Sequence, residues 1–547
     1  MLVYQRAGFH YAAQAGGEMI AAVTDVDLAV PHGDFLLLLG ESGSGKSTLV
    51  RMANGLIPHF HEGELTGIVR VCGDDTRAHA VRALARTIGV VFQNHEAQLF
   101  NATVERELAF GPRQQGLTRR EIAARIQAAA EQTGITHLLA RPTTHLSGGE
   151  RARVAIASVL TMQPPLLILD EPSAALDPMA ADALWSLLAA LHDDGTTIAV
   201  AEHRPGPLWD YAVSVAGMRT GRRDVYGTPQ AVVQSATQAS DLPVPAVARL
   251  CMMAGLPERP RTVPEAADIL RARRLTLAPQ SAVIAATGEP LLIAEAVRAE
   301  REGRVILNGI DVRLGRGETI ALVGTNGAGK TTLLRLLAGL ARPESGRITG
   351  GDGMPVLRSR IGMLLQNADD ALFCRTVREE VAYSAQALKR YDAAWIAMLI
   401  AHFALEPLLE RAPLGLSDGE KRRVALAAMV AHRPEIVLLD EPTAGQDRQR
   451  RVALAAVLAT LRTEGVGVIL ATHDMEFAAA QCTRWLVLSD GALIADAPPA
   501  TVMHDAPLLA RAHLLPTPLA SLAAALGIPY PGEDVLLVPD RVPRIAR

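Results

Sequence analysis

A chain of 547 residues is too long for one ordinary hydrophobic core and indicates two to four domains. Apolar residues make up 49% of it, which excludes a largely disordered chain, and the net charge of −4 without any Lys/Arg-rich run argues against a general nucleic-acid-binding protein. The four cysteines are far apart and form no metal-ligand spacing, so we expect ordinary buried thiols of a reducing compartment.

Targeting and membrane segments are not expected. Residues 1–14 lack the apolar core that a secretory signal needs. The longest uncharged run of note, residues 514–532, is interrupted by four prolines, which makes a membrane-spanning helix improbable. We therefore expect a cytosolic chain. If it serves a membrane, other subunits must provide the membrane part.

Short apolar runs alternate with helical stretches along the chain. The run DFLLLLG (residues 34–40) predicts a buried strand that enters a Gly-rich loop, and STLVRMANGL (47–56) begins the helix behind it. Further strands are predicted at PLLILD (165–170) and TTIAVAEH (196–203). This alternation is typical of a parallel sheet with crossover helices, an α/β fold.

Two charged regions with helical periodicity, residues 113–145 and 376–412, predict helical insertions into these sheets. The segment 228–285 carries prolines and polar residues and is predicted to hold a tail and a linker.

The chain is an internal duplication. Four motifs occur twice in the same order: GESGSGKS (40–47) and GTNGAGKT (324–331), VVFQN (90–94) and MLLQN (363–367), LSGGE (146–150) and LSDGE (416–420), LLILDEPSAALD (166–177) and VLLDEPTAGQD (437–447). We call residues 1–285 half one and residues 286–547 half two. The predicted domains are residues 1–235 with a tail and linker at 236–285, and residues 286–505 with a tail at 506–547. Half one has extra residues around NGLIPHFHEGELTG (54–67).

Each half contains a Gly-rich loop with the pattern G-x-x-x-x-G-K-[S/T] between a predicted strand and a helix. Glycines in such a loop let backbone N–H groups point at phosphates, the lysine reaches the terminal phosphates, and the hydroxyl joins Mg²⁺. Lys46 and Ser47 take these roles in half one, and Lys330 and Thr331 take them in half two. Two intact loops in register with the other repeats indicate two phosphate sites rather than a chance Gly-rich turn.

Acidic residues follow a predicted strand in each half. Asp170 and Asp440 end apolar runs, where a carboxylate beside the phosphate loop can hold the Mg²⁺ shell. Each is followed by a glutamate, Glu171 or Glu441, which is the natural candidate for polarising an attacking water.

Both halves resemble ATP-binding-cassette (ABC) ATPase domains over nearly the whole chain. The motifs that carry the resemblance are the phosphate loop, a Q-loop glutamine, the LSGGE or LSDGE signature, LDEP, a D-loop aspartate (Asp177 or Asp447) and a histidine after a further strand (His203 or His473). The resemblance implies two P-loop NTPase domains, each with a helical subdomain and a small C-terminal tail. It also implies head-to-tail pairing, in which each ATP lies between the phosphate loop of one domain and the signature of the other.

The resemblance assigns the site residues. The predicted catalytic residues are Glu171, Glu441, His203 and His473. The predicted ATP-binding residues are Tyr11, Gly40, Glu41, Ser42, Gly43, Ser44, Gly45, Lys46, Ser47, Thr48, Gln93, Ser147, Gly148 and Gly149 in half one, and Gly324, Thr325, Asn326, Gly327, Ala328, Gly329, Lys330, Thr331, Thr332, Gln366, Ser417, Asp418 and Gly419 in half two. The predicted Mg²⁺ ligands are Ser47, Gln93, Asp170, Thr331, Gln366 and Asp440.

The two signatures differ by one residue, because Asp418 stands where half one has a glycine. Both stretches spell a capping box, Ser-x-x-Glu, so each should begin a helix. An acid at the first helical position gains roughly 0.3–1 kcal/mol from the helix dipole. Facing a phosphate about 4 Å away, the same acid would lose on the order of 4 kcal/mol near a surface. Both interpretations stay open.

A second asymmetry concerns the adenine. Tyr11 is placed to stack on the base as the aromatic residue of this family does, whereas the comparable stretch of half two, VRAEREG (297–303), has no aromatic residue. Each composite site therefore departs once from the family pattern. We expect two hydrolytic sites of unequal rate rather than one inactive site.

Among tandem ABC proteins, the chain resembles the duplicated ATPase of energy-coupling-factor importers, the cobalt and vitamin uptake group. The stretches that carry this resemblance are residues 93–111, 366–384, 54–67 and the proline-led tails. Ribosome-associated translation factors use a long charged linker, tandem sugar importers often weaken one phosphate loop, and DNA-repair members add zinc cysteines or coiled coils. These classes remain alternatives with less support.

The importer resemblance implies a peripheral subunit at the cytoplasmic face of the cell membrane. Its partners would be a transmembrane scaffold subunit, contacting the region of the Q-loops, and a substrate-capture membrane subunit that chooses the cargo. Its two domains would pair within one chain in place of a homodimer, and no nucleic-acid partner is expected. A vitamin, a vitamin precursor or a metal ion all fit as cargo.

Overall fold

The computed structural model describes residues 1–12, 19–174, 176–237, 242–279, 288–301, 303–365, 367–444, 446 and 448–539, and for Glu96, Asp418 and Gln449 the backbone alone. The chain divides into two compact units, unit one (Met1–Ile269) and unit two (Leu270–Arg547). This division falls inside the predicted tail and linker, so the segment boundaries at 235, 285 and 505 stay predictions.

The strands of the first part of the chain are β1 (Leu2–Tyr11), β2 (Ile20–Val30), β3 (Phe35–Leu39), β4 (Gly63–Val71), β5 (Asp74–Asp75), β6 (Ile88–Val91), β7 (Leu166–Asp170), β8 (Thr197–Glu202), β9 (Ser214–Arg219) and β10 (Arg222–Gly227). Its α-helices are α1 (Lys46–Ala53), α2 (Leu56–His59), α3 (Val81–Leu84), α4 (His95–Gln98), α5 (Val104–Gln114), α6 (Arg119–Gln132), α7 (Gly148–Leu160), α8 (Pro178–Asp193), α9 (Leu208–Tyr211), α10 (Pro229–Ser235), α11 (Ala246–Met253) and α12 (Val263–Arg273).

The main sheet of unit one has the strand order β10-β9-β3-β8-β7-β6, with parallel pairing except between β9 and β10. Strand β3 consists of five buried apolar residues, because helices and a second sheet cover both faces. Leu36 and Leu38 join one hydrophobic cluster, while Phe35, Leu37 and Leu39 join the other. The predicted parallel α/β sheet is confirmed.

Unit one also contains a second, antiparallel sheet with the strand order β2-β1-β4-β5. The sequence interpretation did not include it. Register shifts between β1 and β2 interrupt the alternation of buried and exposed residues, and this alternation is the signal by which such strands are recognised.

The strands of the second part are β11 (Leu275–Pro279), β12 (Pro290–Arg301), β13 (Arg304–Gly315), β14 (Thr319–Val323), β15 (Ser345–Gly350), β16 (Ile361–Leu364), β17 (Ile436–Asp440), β18 (Gly467–Ala471), β19 (Arg484–Ser489), β20 (Ala492–Ala497) and β21 (Val535–Pro539). Its α-helices are α13 (Lys330–Leu337), α14 (Val377–Ala387), α15 (Ala393–His402), α16 (Asp418–Val430), α17 (Arg448–Thr463), α18 (Met475–Gln481), α19 (Pro499–His504), α20 (Ala506–Arg511) and α21 (Pro518–Leu526).

Unit two repeats the architecture of unit one. Its main sheet has the order β16-β17-β18-β14-β19-β20, and an antiparallel sheet has the order β13-β12-β15. A further two-stranded sheet pairs β11 with β21. A strand from the predicted linker therefore pairs with the end of the second tail.

The helical insertions are present, but the first begins earlier than predicted. Helix α5 starts at Val104 rather than near residue 113, because Thr103 caps it by accepting a hydrogen bond from the N–H of Arg106. Thr376 caps α14 in the same way, which agrees with the predicted start of the second insertion.

Two expectations concern the chain as a whole. Cys251 and Cys482 are buried as expected, but Cys72 is exposed and Cys374 is only partly buried, so the expectation of four buried thiols was wrong. Cys72 follows the end of β4 at the surface. None of the helices in the described part of the chain combines the length and apolar character that a bilayer crossing requires.

Candidate functional site

The phosphate loop of unit one connects β3 to α1. Gly43 and Gly45 adopt φ angles of 78° and 101°, which favour glycine, and a Cβ on Gly45 would lie 2.7 Å from the carbonyl oxygen of Ala22. Lys46 is buried, and its Nζ donates to the carbonyls of Gly40 at 2.7 Å and Glu41 at 3.1 Å. The loop thus curls around a lysine ammonium at the start of a helix, which is the arrangement that binds phosphate.

Unit two has the same loop between β14 and α13. Gly327 and Gly329 adopt φ angles of 85° and 105°. Lys330 is buried, and its Nζ donates to the carbonyls of Gly324 at 2.7 Å and Thr325 at 3.0 Å. Both phosphate loops are therefore built alike.

The predicted Mg²⁺ ligands Asp170 and Asp440 end the corresponding strands β7 and β17 of the two main sheets, one in each unit, and both are buried. Burial raises the pKa of Asp170 above its ordinary value, although the Ser47 hydroxyl opposes the shift by hydrogen bonding. Burial also raises the pKa of Asp440, with the Thr331 hydroxyl opposing. Asp170 Oδ1 has no hydrogen-bond partner among the described residues, so a cation fits beside it.

The described residues contain no cluster of three or more His, Cys, Asp or Glu side chains suited to a metal ion. A magnesium ion at this place would be held by the hydroxyl, the strand-end aspartate, water and the nucleotide phosphates, which suits its preference for one or two carboxylates plus substrate oxygens.

Glu171 lies at the centre of a group of polar side chains in unit one. Its Oε1 is 3.5 Å from Nζ of Lys46, and its Oε2 accepts a hydrogen bond from Nε2 of Gln93 at 3.0 Å and lies 3.4 Å from Nδ1 of His203. Burial alone would raise the pKa of Glu171, but His203 and Lys46 together lower it to about 2. Glu171 is therefore ionised, and a carboxylate of such low pKa suits orienting a water better than removing its proton early.

Glu441 has the corresponding environment in unit two. Its Oε2 is 2.9 Å from Nδ1 of His473 and accepts a hydrogen bond from the backbone N–H of the same residue at 3.3 Å. Burial opposes ionisation, but His473 and Lys330 lower the pKa of Glu441 below its ordinary value. Both glutamates also have positive φ, 47° for Glu171 and 49° for Glu441, a strained conformation for this residue type that recurs at functional sites.

The structure therefore brings together the predicted phosphate-loop, strand-end and histidine residues within each unit. Gln366 and Asp447 lie outside the described residues. Asp177 is described and caps α8, where its side chain accepts a hydrogen bond from the N–H of Ala180 at 2.9 Å.

Each signature begins a helix with a capping box, as predicted. In α7 the N–H of Ser147 donates to Glu150 at 2.7 Å, and the N–H of Glu150 donates to the Ser147 hydroxyl at 3.3 Å. In α16 the N–H and the hydroxyl of Ser417 both donate to Glu420, at 2.9 and 2.7 Å. The backbone of Asp418 is the first residue of α16.

A basic residue that the sequence interpretation missed lies beside the second signature. A Cβ placed on Gly419 would clash with Nη1 of Arg450, whereas the nearest atom to a Cβ on Gly149 is Cβ of Ala180, at 3.0 Å. Half two therefore has an acid and an arginine where half one has a glycine and an alanine. Alignment of the two halves at the LDEP motifs would have found this exchange.

Tyr11 ends β1 and is partly buried beside the phosphate loop. Its ring lies edge-on to Phe9 at 4.8 Å and to His61 at 5.9 Å between centroids. Its hydroxyl accepts a hydrogen bond from Arg51 at 3.2 Å and lies 3.4 Å from the hydroxyl of Thr48. Tyr11 is thus anchored to α1, and its role toward adenine stays a prediction.

Comparison with known proteins agrees with this geometry. The sequence profile of the ABC transporter family matches residues 23–174 and 307–444. A Streptomyces coelicolor protein, provisionally named ABC transporter ATP-binding protein, is 37% identical over 89% of this chain and 92% of its own length. A Methanosarcina acetivorans protein with the same provisional name is 34% identical over 93% of this chain and 89% of its own length. Among solved structures, RNase-L inhibitor is 21% identical with a TM-score of 0.59 over 92% of each chain, which shows a shared fold.

Proposed function

Because the chain belongs to the ABC transporter family and carries two of its ATPase domains, we propose that it powers an importer of the energy-coupling-factor type. Its cargo would be a vitamin, a vitamin precursor or a metal ion. The chain would lie at the cytoplasmic face of the membrane and bind a transmembrane scaffold subunit, while a separate membrane subunit captures the cargo.

The observation that carries the proposal is an exposed aromatic pair after the Q-loop of each unit. In unit one Phe100 and Phe110 are 64% and 42% exposed and meet edge to face at 4.9 Å between centroids. In unit two Phe373 and Tyr383 are 64% and 50% exposed and meet at 4.8 Å. Large apolar side chains exposed in the same pattern twice favour a binding partner over chance exposure.

A buried glutamate supports the aromatic pair in each unit. Glu107 Oε2 accepts hydrogen bonds from the N–H groups of Phe100 at 3.1 Å and Asn101 at 2.7 Å. Glu380 Oε2 accepts from the N–H groups of Phe373 at 2.8 Å and Cys374 at 2.7 Å. The loop is therefore held so that the phenylalanine points outward although exposure of its ring is unfavourable.

A cavity of about 430 Å³ adjoins the pair in unit one. Phe100, Phe110, Phe92 and Met162 contribute to its lining, and Phe92 directly precedes the Q-loop glutamine. An apolar groove of this kind fits the apolar face of a short helix. We assign this helix to the membrane scaffold subunit. Two such helices, one for each unit, would link movements near Gln93 and Gln366 to the membrane.

The two ATPase domains are proposed to pair head to tail within this chain and to bind ATP with Mg²⁺. Two complete phosphate loops with their strand-end acids support binding of two nucleotides. The signature helices support the pairing, since their first N–H groups and the positive end of the helix dipole are suited to an anion.

The test uses the affinity-tagged chain, extracted with the membranes of its own cells in mild detergent. We expect an integral membrane protein to co-purify with the wild type and to be lost from the double variant Phe100→Ser/Phe373→Ser. Leu340→Ser changes a residue of similar exposure, 54%, outside the aromatic pairs and should retain the partner. ATP hydrolysis by the purified variants should match the wild type. Equal retention of the membrane protein by all variants, or sedimentation of the chain with ribosomes, would contradict the proposal.

The cargo class is tested separately. Deletion of the gene should lower uptake of one of three labelled solutes: a cobalt or nickel ion, a vitamin, or a thiamine-type pyrimidine precursor. Complementation with the Lys46→Ala/Lys330→Ala variant should fail to restore that uptake, because both phosphate loops lose their ammonium group. Normal uptake of all three by the deletion strain would contradict the cargo assignment.

A further inference from the structure

A carboxylate that the family motifs do not use is buried beside the catalytic group of unit one. Glu202 is the last residue of β8 and has no exposed surface. Its Oε1 accepts hydrogen bonds from the hydroxyl of Ser173 at 2.7 Å and from the N–H of the same residue at 3.3 Å. Its Oε2 has no hydrogen-bond partner among the described residues. A buried carboxylate oxygen without a partner is costly and calls for an explanation.

The unpaired oxygen faces His203. Oε2 of Glu202 lies 3.9 Å from Nδ1 of His203, and the same nitrogen lies 3.4 Å from Oε2 of Glu171. Nδ1 of His203 has no hydrogen-bond partner within the described part of the chain. One imidazole nitrogen thus lies near two carboxylates, at 3.4 and 3.9 Å, without a hydrogen bond to either of them.

Unit two has no acid at the corresponding position. Thr472 occupies the place of Glu202, and its hydroxyl lies 3.3 Å from the hydroxyl of Thr443, which occupies the place of Ser173. Nδ1 of His473 lies 2.9 Å from Oε2 of Glu441. In unit two, a pair of neutral hydroxyl groups therefore connects the end of β18 to the loop after β17. This contact therefore does not explain why unit one has an acid at position 202.

We propose that Glu202 is a positioning residue that orients His203. When the carboxylate of Glu171 turns toward the attacking water, Glu202 accepts the Nδ1–H of His203, so that the imidazole ring keeps a fixed orientation and its Nε2 can meet the terminal phosphate of a bound nucleotide. The shift required is about 1 Å, from the observed 3.9 Å to hydrogen-bond distance. A carboxylate that orients an imidazole in this way follows the general logic of a base and its orienting partner. Unit two lacks this device, which gives the two sites different chemistry.

Charged side chains from three parts of unit one lie at or near His203. Glu171 faces it from the residue after β7, Glu202 precedes it on β8, and Lys46 of α1 lies 3.5 Å from the other carboxylate oxygen of Glu171. Replacing Glu202 changes neither the phosphate loop nor Glu171, the predicted partner of the attacking water. Glutamine at 202 can still accept from Ser173 through its amide oxygen, but it offers His203 no charged acceptor.

The test compares Glu202→Gln, Glu202→Asp and Glu202→Thr in the full chain, where threonine is the residue of unit two. We expect Glu202→Gln and Glu202→Thr to lower kcat for ATP hydrolysis several-fold while KM for ATP and the unfolding temperature change little. Glu202→Asp, which keeps a carboxylate, should retain more of kcat than Glu202→Gln. Thr472→Ser is the matched control and should leave kcat unchanged.

Two results would overturn the assignment. One is wild-type kcat in Glu202→Gln. The other is a parallel loss of kcat and unfolding temperature in all three variants, aspartate included, which indicates a purely structural role. The assay uses purified protein and ATP, so its outcome does not depend on the proposed transport function.

Discussion

Nδ1 of His473 lies 2.9 Å from Oε2 of Glu441, close enough for a charge-assisted hydrogen bond. The equivalent atoms of His203 and Glu171 are 3.4 Å apart, and Gln93 contributes a further hydrogen bond to Glu171. The contact between the predicted catalytic glutamate and its histidine is therefore shorter in unit two than in unit one. The motifs around them correspond, but this distance differs between the two sites.

The first prediction concerns the rates of the two sites. Glu171→Gln and Glu441→Gln should each lower ATP turnover, because glutamine cannot orient the attacking water as a carboxylate does. Since the distance between glutamate and histidine differs between the two sites, the two losses should differ by about threefold or more, which corresponds to somewhat under 1 kcal/mol of activation free energy. Steady-state hydrolysis by the purified variants measures both. Equal losses would argue against unequal sites.

The second prediction concerns the exchanged pair beside the second signature. Arg450→Ala should lower ATPase activity, because the second signature would lose the positive charge that lies beside Gly419. Adding Asp418→Gly should restore activity, since this combination is the pair found in half one. A double-mutant cycle should give a coupling of about 0.5–3 kcal/mol, typical of residues that interact directly. Additive effects would show that the two exchanges are independent.

The third prediction concerns the base of the nucleotide. Tyr11→Ala should weaken ATP binding at the unit-one phosphate loop by about 1 kcal/mol, the usual contribution of one aromatic contact. Tyr11→Phe keeps the ring and removes the hydroxyl that accepts from Arg51, so it separates stacking from anchoring. Titration of a fluorescent ATP analogue with each variant in a Lys330→Ala background measures this affinity. If both variants bind equally weakly, the hydroxyl matters and stacking does not.

The fourth prediction concerns pH. His432 is buried, and burial together with the nearby Arg390 lowers its pKa below the ordinary value. The unfolded chain therefore binds a proton near pH 6.5 that the folded chain does not bind until a lower pH. The free energy of unfolding should fall as the pH drops below about 6.5. His432→Met introduces the residue found at the matching place in half one, Met162, and should reduce this dependence.

Urea unfolding at pH 7.5 and at pH 5.5 checks the pH prediction. The difference in unfolding free energy between the two pH values should be smaller for His432→Met than for the wild type. His513→Met changes an exposed histidine and serves as the control, which should leave the difference unchanged. A wild-type-sized difference in His432→Met would assign the pH dependence to other groups.

Features that depend on a few neighbouring residues could be predicted. The capping boxes of Ser147 and Ser417 need only residues three positions apart, and both are present. The phosphate loops are equally local, since Lys46 bonds to carbonyls five and six residues earlier. The start of α5 was misplaced, because the charged stretch that suggested the helix lies after its capping threonine.

Features that depend on distant residues could not be predicted. The contact between Gln93 and Glu171 joins residues that are 78 positions apart. The clash that a side chain at Gly419 would meet with Arg450, and the exposure of Phe100 and Phe373, are likewise results of packing. Propensity and periodicity contain no information about which side chains meet across the sheet edge.

The amino-acid sequence by itself determined that this chain holds two ABC ATPase domains, because their phosphate loops, strand-end acids and signatures are short motifs whose chemistry follows from neighbouring residues. Only the tertiary structure decided which polar side chains lie beside the histidine of each site. Among the described residues, burial leaves Glu202 with an unpaired oxygen beside His203 in unit one, whereas unit two has the hydroxyl of Thr472 at that position. The burial of a side chain and its distance from a partner are set when strands that are far apart in the chain pack side by side. The two halves differ in these packed side chains.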